Sequence, residues 1–358
     1  MTSPRSHDDY ALTGPGNAKA VAAGLANAAW YRTEIPRKTM KGLMQRSDGP
    51  ATRDTAVWIG LMLVFAGLGI WLWGSWWALP CWLAYGVLYG SGGDSRWHEC
   101  GHGTAFATPW KNEAVYQLAC FMMMRNPVTW RWSHARHHTD TIVVGRDPEI
   151  IVLRPAKPLR VLLNLFGLID VPQAMAATPR LALGGINAAE KDYVPESEWH
   201  KVARVARVWL LVYALVVVAA VVTRSIIPLM LIGLPRIYGA WHHVLTGLQQ
   251  HTGLAENALD HRLKSRTVYM NPVSRFIYWN MNYHLEHHMF PMVPFHALPK
   301  LHAELLADSP PPYPGQWGAL KEVIGAVWRQ RTDPDFSVRR DLPATPPAAG
   351  PAPAAAAA

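Results

Sequence analysis

The sequence predicts an all-α integral membrane protein in which four transmembrane helices form two hairpins and a helical, histidine-rich cap lies on the cytosolic side. Half of the 358 residues are hydrophobic, and four nearly uncharged runs lie in two close pairs, at 56–73, 78–93, 205–222 and 226–247. Runs of about 18 residues suit a bilayer core of about 30 Å. A single apolar run is also compatible with a buried helix of a water-soluble protein, but two close pairs favour membrane hairpins.

The short turns within the pairs set the predicted topology. Residues 74–77 and 223–225 join the two runs of each pair, so each pair returns to the side on which it began. Basic residues concentrate on the cytoplasmic side of membrane proteins, and Arg224 is the only basic residue in either turn. We therefore expect the side that carries the histidine motifs to be cytoplasmic.

The two ends of the chain differ from the middle in composition. Residues 1–28 are small and polar, and residues 336–358 are rich in Pro and Ala, so both are predicted to be disordered. Residues 29–335 are predicted to form one membrane domain. The net charge of +9 comes from Lys and Arg spread over the non-membrane segments, which gives no signal for a nucleic-acid partner.

Three histidine motifs are the main functional signal. HxxxH follows the second apolar run, and HxxHH occurs once after it and once near the C-terminus. Together these motifs contain eight histidines: His98 and His102; His134, His137 and His138; and His284, His287 and His288. Residues at i, i+3 and i+4 share one helix face, so each HxxHH is expected to direct three imidazoles to one point. Eight histidines without cysteine are too many for one tetrahedral zinc and suit two ions, for which iron is a good candidate.

Further polar residues near these motifs have two interpretations each. His251 is predicted to be a ninth ligand, with an ordinary interfacial histidine as the alternative. His242 and His243 are left open as ligands of water, substrate or metal. Asp147 or Glu149 is expected to hold a ligand imidazole through its second nitrogen, with a turn formed by Asp147-Pro148 as the alternative.

Arg236 is the one charge near the middle of the fourth apolar run. A charge at that depth costs several kcal/mol unless it is paired or lies in water. One interpretation is that Arg236 faces an internal cavity and pairs with Asp94, Asp170 or an anionic substrate. The other is that the span is shorter and shifted, so that Arg236 lies near the surface.

The order HxxxH, HxxHH, HxxHH, interleaved with two apolar hairpins, resembles the membrane fatty-acid desaturase superfamily. The resemblance covers about residues 54–302, and its most specific part is Asn-Tyr-His-Leu-Glu-His-His-Met-Phe-Pro at 282–291. Gln-His-Thr at 250–252 is also similar to the segment that precedes the last motif in that superfamily. The resemblance implies that the eight motif histidines and His251 bind two irons, with O2 as co-substrate. It also implies a separate electron donor such as a ferredoxin or a cytochrome with its reductase.

The resemblance implies an oxygen-dependent desaturase that introduces a C=C bond into a fatty acyl chain or a related lipid-like or carboxylate metabolite. A hydroxylase or ketolase of the same superfamily is the nearest alternative. Residues 98–102 also match HExxH, in which Glu99 would be the general base of a membrane zinc protease. A metal sensor without turnover is a further alternative, because the same histidines could bind a metal and report it.

Overall fold

The computed structural model describes residues 5–343, and within this range the chain is built from α-helices without a β-strand. Two isolated bridges, Thr267 with Tyr283 and Val268 with Tyr313, are the only β-type pairings of the described residues. The predicted all-α class is confirmed.

The helices are numbered in chain order. The helices before the second histidine motif are α1 Pro15–Ala22, α2 Arg37–Leu43, α3 Asp48–Trp71, α4 Ala78–Gly90, α5 Gly92–Gly101 and α6 Pro109–Met123. Those from the second motif to the third apolar run are α7 Pro127–Thr139, α8 Pro158–Asn164, α9 Asp170–Ala182, α10 Ala188–Tyr193 and α11 Trp199–Val222. The remaining ones are α12 Ile227–Leu231, α13 Pro235–Tyr238, α14 Trp241–His251, α15 His261–Lys264, α16 Pro272–Tyr278, α17 His284–Met289, α18 Leu298–Leu305 and α19 Gln316–Arg329. Short 3-10 helices occur at His7–Tyr10, Glu196–Glu198 and Leu306–Asp308.

Two helical stretches of the described chain are long and apolar enough to cross a membrane. They are Arg37–Trp71, which contains α3, and Glu196–Val222, which contains α11. Only 22% and 11% of the residues in their apolar windows are buried inside the protein, and Trp71 and Val222 are 78% and 75% exposed. A helix in the core of a water-soluble protein would bury this surface, so exposed apolar helices of this length fit a bilayer better.

The second apolar run is shorter as a helix than the sequence predicts. The helix α4 has 13 residues, which corresponds to about 20 Å, against about 30 Å for a bilayer core. Ser91 separates it from α5, and the Ser91 hydroxyl donates to the carbonyl of Gly239 at 2.9 Å and accepts from the backbone N–H of His243 at 2.9 Å. The chain therefore changes direction at Ser91, where α4 meets the fourth run.

The fourth apolar run, 226–247, is not a single helix. It is divided into α12, α13 and the first part of α14, because Gly233 adopts a φ of +97° and Pro235 starts a new helix. Gly239 then packs against the backbone of α4, where a Cβ atom would lie 1.9 Å from the carbonyl of Gly86. Two spans thus have the predicted length, and the four-span topology stays a prediction.

Residues 5–28 form helices and contact the rest of the protein, in contrast to the disorder expected for this segment, and residues 1–4 lie outside the described residues. Residues 5–28 include a 3-10 helix and α1. The Tyr10 hydroxyl donates to Glu256 at 2.9 Å, and Arg146 donates to the side chain of Asn17 at 3.1 Å. These partners lie more than one hundred residues away, so local composition could not reveal them.

The C-terminal segment predicted as disordered, 336–358, is described only as far as residue 343. The backbone N–H of Val338 donates to the carbonyl of Gly253 at 2.8 Å, and Arg340 donates to the Tyr313 hydroxyl at 2.8 Å. Residues 336–343 are therefore tied to the helical body. The rest of the predicted tail lies outside the described residues.

The contact between Gly86 and Gly239 gives a first testable prediction. We expect Gly239→Ala to lower the thermal stability of the protein in detergent, because the added methyl group forces two backbones apart at a cost on the order of 1–3 kcal/mol. Gly67→Ala in α3 is the matched control, since no atom lies within 4 Å of its added Cβ. An equal unfolding temperature for the two variants would contradict this account of the packing.

Candidate metal centre

Four helices bring the histidines together. His98 lies in α5 and His102 directly follows it, while α7, α14 and α17 carry the others. The start of α7 is fixed by Asn126, whose side-chain oxygen accepts from the N–H of Val128 at 3.1 Å and whose amide donates to the carbonyl of Val202 at 3.0 Å. Asn126 thus caps α7 and ties it to the long helix α11.

The nine predicted histidines form two adjoining groups. Within each group, one ligand atom from every residue lies within 4.8 Å of all the others. The first group contains His98, His102, His134, His138 and His287, and the second contains His137, His251, His284 and His288. The rings of His138 and His288, one from each group, stack with centroids 4.4 Å apart. The structure therefore brings all nine together, and their roles as ligands stay a prediction.

Each HxxHH motif is divided between the two groups. His134 and His138 join the first group and His137 joins the second. In an α-helix, residues at i and i+4 differ by about 40° in direction, whereas i+3 and i+4 differ by about 100°. The expectation that all three imidazoles of a motif meet at one point is therefore corrected. The i and i+4 residues act as a pair, and the i+3 residue points to the neighbouring group.

The spacing of the ring nitrogens matches the ligands of a metal ion. The Nε2 atom of His134 lies 3.1 Å from Nε2 of His102 and 3.1 Å from Nε2 of His138. In the second group, Nε2 of His284 lies 2.9 Å from Nε2 of His251 and 3.0 Å from Nε2 of His288. For metal–nitrogen bonds of about 2.1 Å, two ligands at right angles lie about 3.0 Å apart.

Hydrogen bonds to the other ring nitrogen fix the tautomers in the second group. Nδ1 of His251 lies 2.7 Å from the carbonyl of Lys264, which can only accept. Nδ1 of His288 lies 3.2 Å from the Thr141 hydroxyl, whose own hydrogen goes to the carbonyl of His137. Both rings therefore present an Nε2 lone pair to His284. A single N–H on His284 cannot satisfy two lone pairs well, so a cation among these nitrogens fits them better.

The second group also receives a lone pair from His137. Its Nδ1 donates to Asp147 at 2.8 Å, which leaves Nε2 as the free acceptor. Asp147 accepts two further hydrogen bonds, from the backbone N–H groups of Ile142 at 2.7 Å and Glu149 at 2.8 Å. All three partners of this buried carboxylate are donors, so it holds the ring and the loop after α7 together.

In the first group a carboxylate also holds the Nδ1 atom of one histidine, and this carboxylate belongs to Glu149. Nδ1 of His134 lies 3.0 Å from Glu149, which also accepts from the Ser133 hydroxyl at 2.8 Å. Both ring nitrogens of the buried His98 lack a hydrogen-bond partner among residues 5–343. An unpaired buried polar atom costs about 1–3 kcal/mol, and a metal ion would satisfy one of these nitrogens.

Burial keeps most of the imidazoles neutral. It lowers the pKa of His102 to about 4 and places the pKa of the other members of the first group well below the usual range. In the second group, burial also lowers the pKa of His137, but the carboxylate of Asp147 outweighs it and the net shift is upward. Neutral imidazole is the form that binds metal.

Thr141 and Lys264, which the sequence did not single out, support the histidines of the second group. Lys264 is fully buried, donates to the carbonyl of Thr141, and supplies the carbonyl that His251 contacts. Burial lowers the pKa of Lys264 to about 7. Lys264 follows His251 by thirteen positions, a spacing that matches no known motif. Motif spacing cannot predict hydrogen bonds between separate loops, so the sequence contains no signal for Thr141 or Lys264.

Glu286 of the third motif and His302, which has no motif spacing, support each other. Nδ1 of His302 contacts one oxygen of Glu286, and the Thr267 hydroxyl donates to the other at 2.6 Å. The Tyr269 hydroxyl lies 2.9 Å from Nε2 of His302. This network lies behind the short helix α17 and fixes the direction of its histidines.

Glu99, the potential general base of an HExxH zinc site, lies outside both groups. One of its oxygens accepts from the Thr104 hydroxyl at 2.6 Å and from the backbone N–H of Phe295 at 3.0 Å. The carboxyl is therefore used to join α5 to the loop after α17. This geometry does not favour the protease interpretation, which needs the glutamate beside a metal-bound water.

A cavity of about 630 Å³ borders both groups. Five of the nine histidines line it: His98, His134, His137, His251 and His284. Its walls also include residues of the 148–173 segment and of α14. The two histidine groups therefore share one space that a small molecule can enter.

The remaining predicted polar residues lie outside the histidine groups. His243 lines the cavity, and Nε2 of His242 lies 3.4 Å from the Ser274 hydroxyl. Arg236 is buried, so it does not lie near the surface, but it does not face the cavity as the first interpretation expected. Its guanidinium donates to the carbonyl of Gly90 at 3.2 Å. It has no carboxylate within 4 Å among the described residues and is not part of the cavity wall.

Comparison with known protein families agrees with the geometry of the histidine groups. The family described as fatty acid desaturase matches residues 73–319, which is well over half of the chain. The chain therefore belongs to the fatty acid desaturase family, a membrane-bound family of oxidoreductases. No curated protein matches the sequence.

The hydrogen bonds of Asp147 give a second prediction. We expect Asp147→Asn to weaken metal binding by about 10- to 100-fold, because the amide N–H2 would face a donor whichever way it turned. Iron retained after a timed challenge with a chelator measures the change. Asp333→Asn is the control, since this exposed carboxylate contacts only Arg329 at 3.8 Å. Equal retention by both variants would show that Asp147 does not support the site.

Proposed function

We propose that this protein is an oxygen-dependent di-iron desaturase that introduces a C=C bond into a fatty acyl chain or a related lipid-like or carboxylate metabolite. The observation that carries the proposal is the pair of adjoining all-histidine groups, five and four residues in size, on one cavity. Imidazole without thiolate suits iron, and the absence of carboxylates from both groups leaves the ions with nitrogen ligands.

A pair of bound irons supplies the reductive activation of O2 that the cleavage of an unactivated C–H bond requires. In desaturation, two hydrogens leave adjacent carbons, and O2 takes up two further electrons and two protons to give two waters. The residues of this chain bury the ligands, fix their tautomers and hold the substrate beside them. Hydroxylation needs the same centre and electrons and inserts one oxygen atom, so it is the alternative outcome.

The electrons are proposed to come from a separate ferredoxin or a cytochrome with its reductase. We also propose that the protein is a multi-pass membrane protein with the histidine site on the cytoplasmic face. The basic residues on the histidine side of the chain support that orientation. The long apolar helices α3 and α11 support insertion into a membrane.

The division of the histidines gives a third prediction. We expect the purified protein to hold two irons per chain, and we expect His102→Ala and His251→Ala each to lower the iron content towards one, since each removes a ligand from a different group. Both variants should lose O2 uptake that depends on a reduced ferredoxin and its reductase. His200→Ala, in an exposed residue of α11, is the control.

The reaction is read from mass spectrometry of lipids and small metabolites in cells with and without the protein. Loss of two hydrogens from a compound identifies desaturation, and gain of one oxygen atom identifies hydroxylation. Metal binding without reductase-dependent O2 uptake would favour a sensor. Zinc in protein produced with ample iron would contradict the di-iron proposal.

A further inference from the structure

Four cationic side chains line the cavity: Arg125, Arg154, Lys157 and Arg160. Arg154 is paired with Glu256 at 3.0 Å, whereas Arg125 contacts an indole that lies beside a histidine group. Arg125 follows α6 and lines the cavity together with Trp97 and Trp130. Its guanidinium lies 4.0 Å from the ring centroid of Trp130 and 5.5 Å from that of Trp97. Trp97 in turn lies 5.2 Å from the ring of His134. One indole therefore separates Arg125 from the five-histidine group.

The hydrogen-bonding capacity of Arg125 is largely unused. Its nearest carboxylate is Asp94, at 3.6 Å, which is longer than a hydrogen bond. The same oxygen of Asp94 already accepts from the indole N–H of Trp97 at 3.0 Å. Among residues 5–343 the guanidinium donates no hydrogen bond, although it has five N–H groups in a planar fork. A bidentate anion entering the cavity would supply the missing acceptors.

Arg236, the residue that the sequence indicated for this role, is placed differently. It is 2% exposed and donates to the carbonyl of Gly90, with the sulfur of Met123 at 3.6 Å. Because it does not reach the cavity wall, a substrate there would meet Arg125 and not Arg236.

The rest of the cavity wall is mixed, with aliphatic side chains such as Ile150, Val152 and Leu248 beside polar ones such as Asn164 and Gln173. Asn164 already hydrogen-bonds to Asp170, so these polar groups do not exclude an apolar ligand. A mixed wall suits an amphiphilic molecule. Because one indole separates Arg125 from the histidine group, a carboxylate held there would leave little chain between itself and the carbons beside the histidines.

We propose that Arg125 binds the carboxylate of a compact amphiphilic substrate and so places carbons close to that carboxylate beside the histidine groups. This inference rests on the proposed function, since it names the substrate class of the same site. The guanidinium lies over the Trp130 ring, and its planar fork matches a planar two-oxygen anion. Asp94 competes with the substrate for the same cation and weakens its binding.

The test measures binding and not turnover. The iron-loaded protein in phosphatidylcholine nanodiscs is titrated calorimetrically with acetate, butanoate and hexanoate, and with their primary amides. We expect saturable binding of at least one carboxylate and at least tenfold weaker binding of its amide. Arg125→Gln should weaken carboxylate binding at least tenfold. Arg131→Gln should not, since Arg131 is a half-exposed residue that pairs with Glu113 at 2.7 Å.

Asp94→Asn provides the second arm of the test. It should tighten carboxylate binding, because it removes the competing charge while keeping a similar shape. If Arg125 served only as the partner of Asp94, this variant would bind carboxylates no better than the unmodified protein. Equal binding of acids and amides, or no saturable binding of any carboxylate, would also overturn the inference. Iron content and O2 uptake are measured separately, so failure of the proposed function is distinguishable from failure of this one.

Discussion

The site depends on one constraint: nine largely buried imidazoles direct ring nitrogens to a common region. Burial makes the charged imidazolium unfavourable, and acceptors on Nδ1 of His134, His137, His251 and His288 direct the Nε2 lone pairs inward. Lone pairs that face one another repel unless a cation lies between them. The arrangement therefore fits a bound cation, and the surrounding helices must be rigid enough to hold it.

Close backbone contacts and side-chain hydrogen bonds hold these helices in place. Gly239 against Gly86 brings the broken fourth run onto α4, and Ser91 joins the start of α14 to the start of α5 through both of its hydrogen bonds. Because α5 and α14 both begin at this junction, the same packed backbone sets the positions of His98 in α5 and of His251 at the end of α14. A continuous transmembrane helix over 226–247 would lack this junction, which explains why Pro and Gly interrupt the run.

The sequence was sufficient for the all-α class, for two of the four predicted apolar spans and for the nine histidines that the fold brings together. Motif spacing carries that information because the helical period fixes which residues share a face. It could not divide His137 from His134 and His138, since the division depends on where a second helix places its own ligands. Nor could it identify Thr141, Lys264 or the anchoring of Tyr10 by Glu256. These contacts join segments distant in the chain, and only the folded structure creates them.

Arg125 and Arg236 show how burial alone can mislead about function. The cost of burying a charge correctly marked Arg236 as unusual, but a backbone carbonyl satisfies part of its demand inside the helix packing. Arg125 looked ordinary in the sequence because it lies between motifs and outside the apolar runs. Only the folded structure shows that Arg125 contacts two indoles and lines the cavity. What separates the two arginines is access: one guanidinium is enclosed by protein, and the other borders the space that the histidines share. Of these two arginines, only Arg125 is placed to meet a molecule that enters this space.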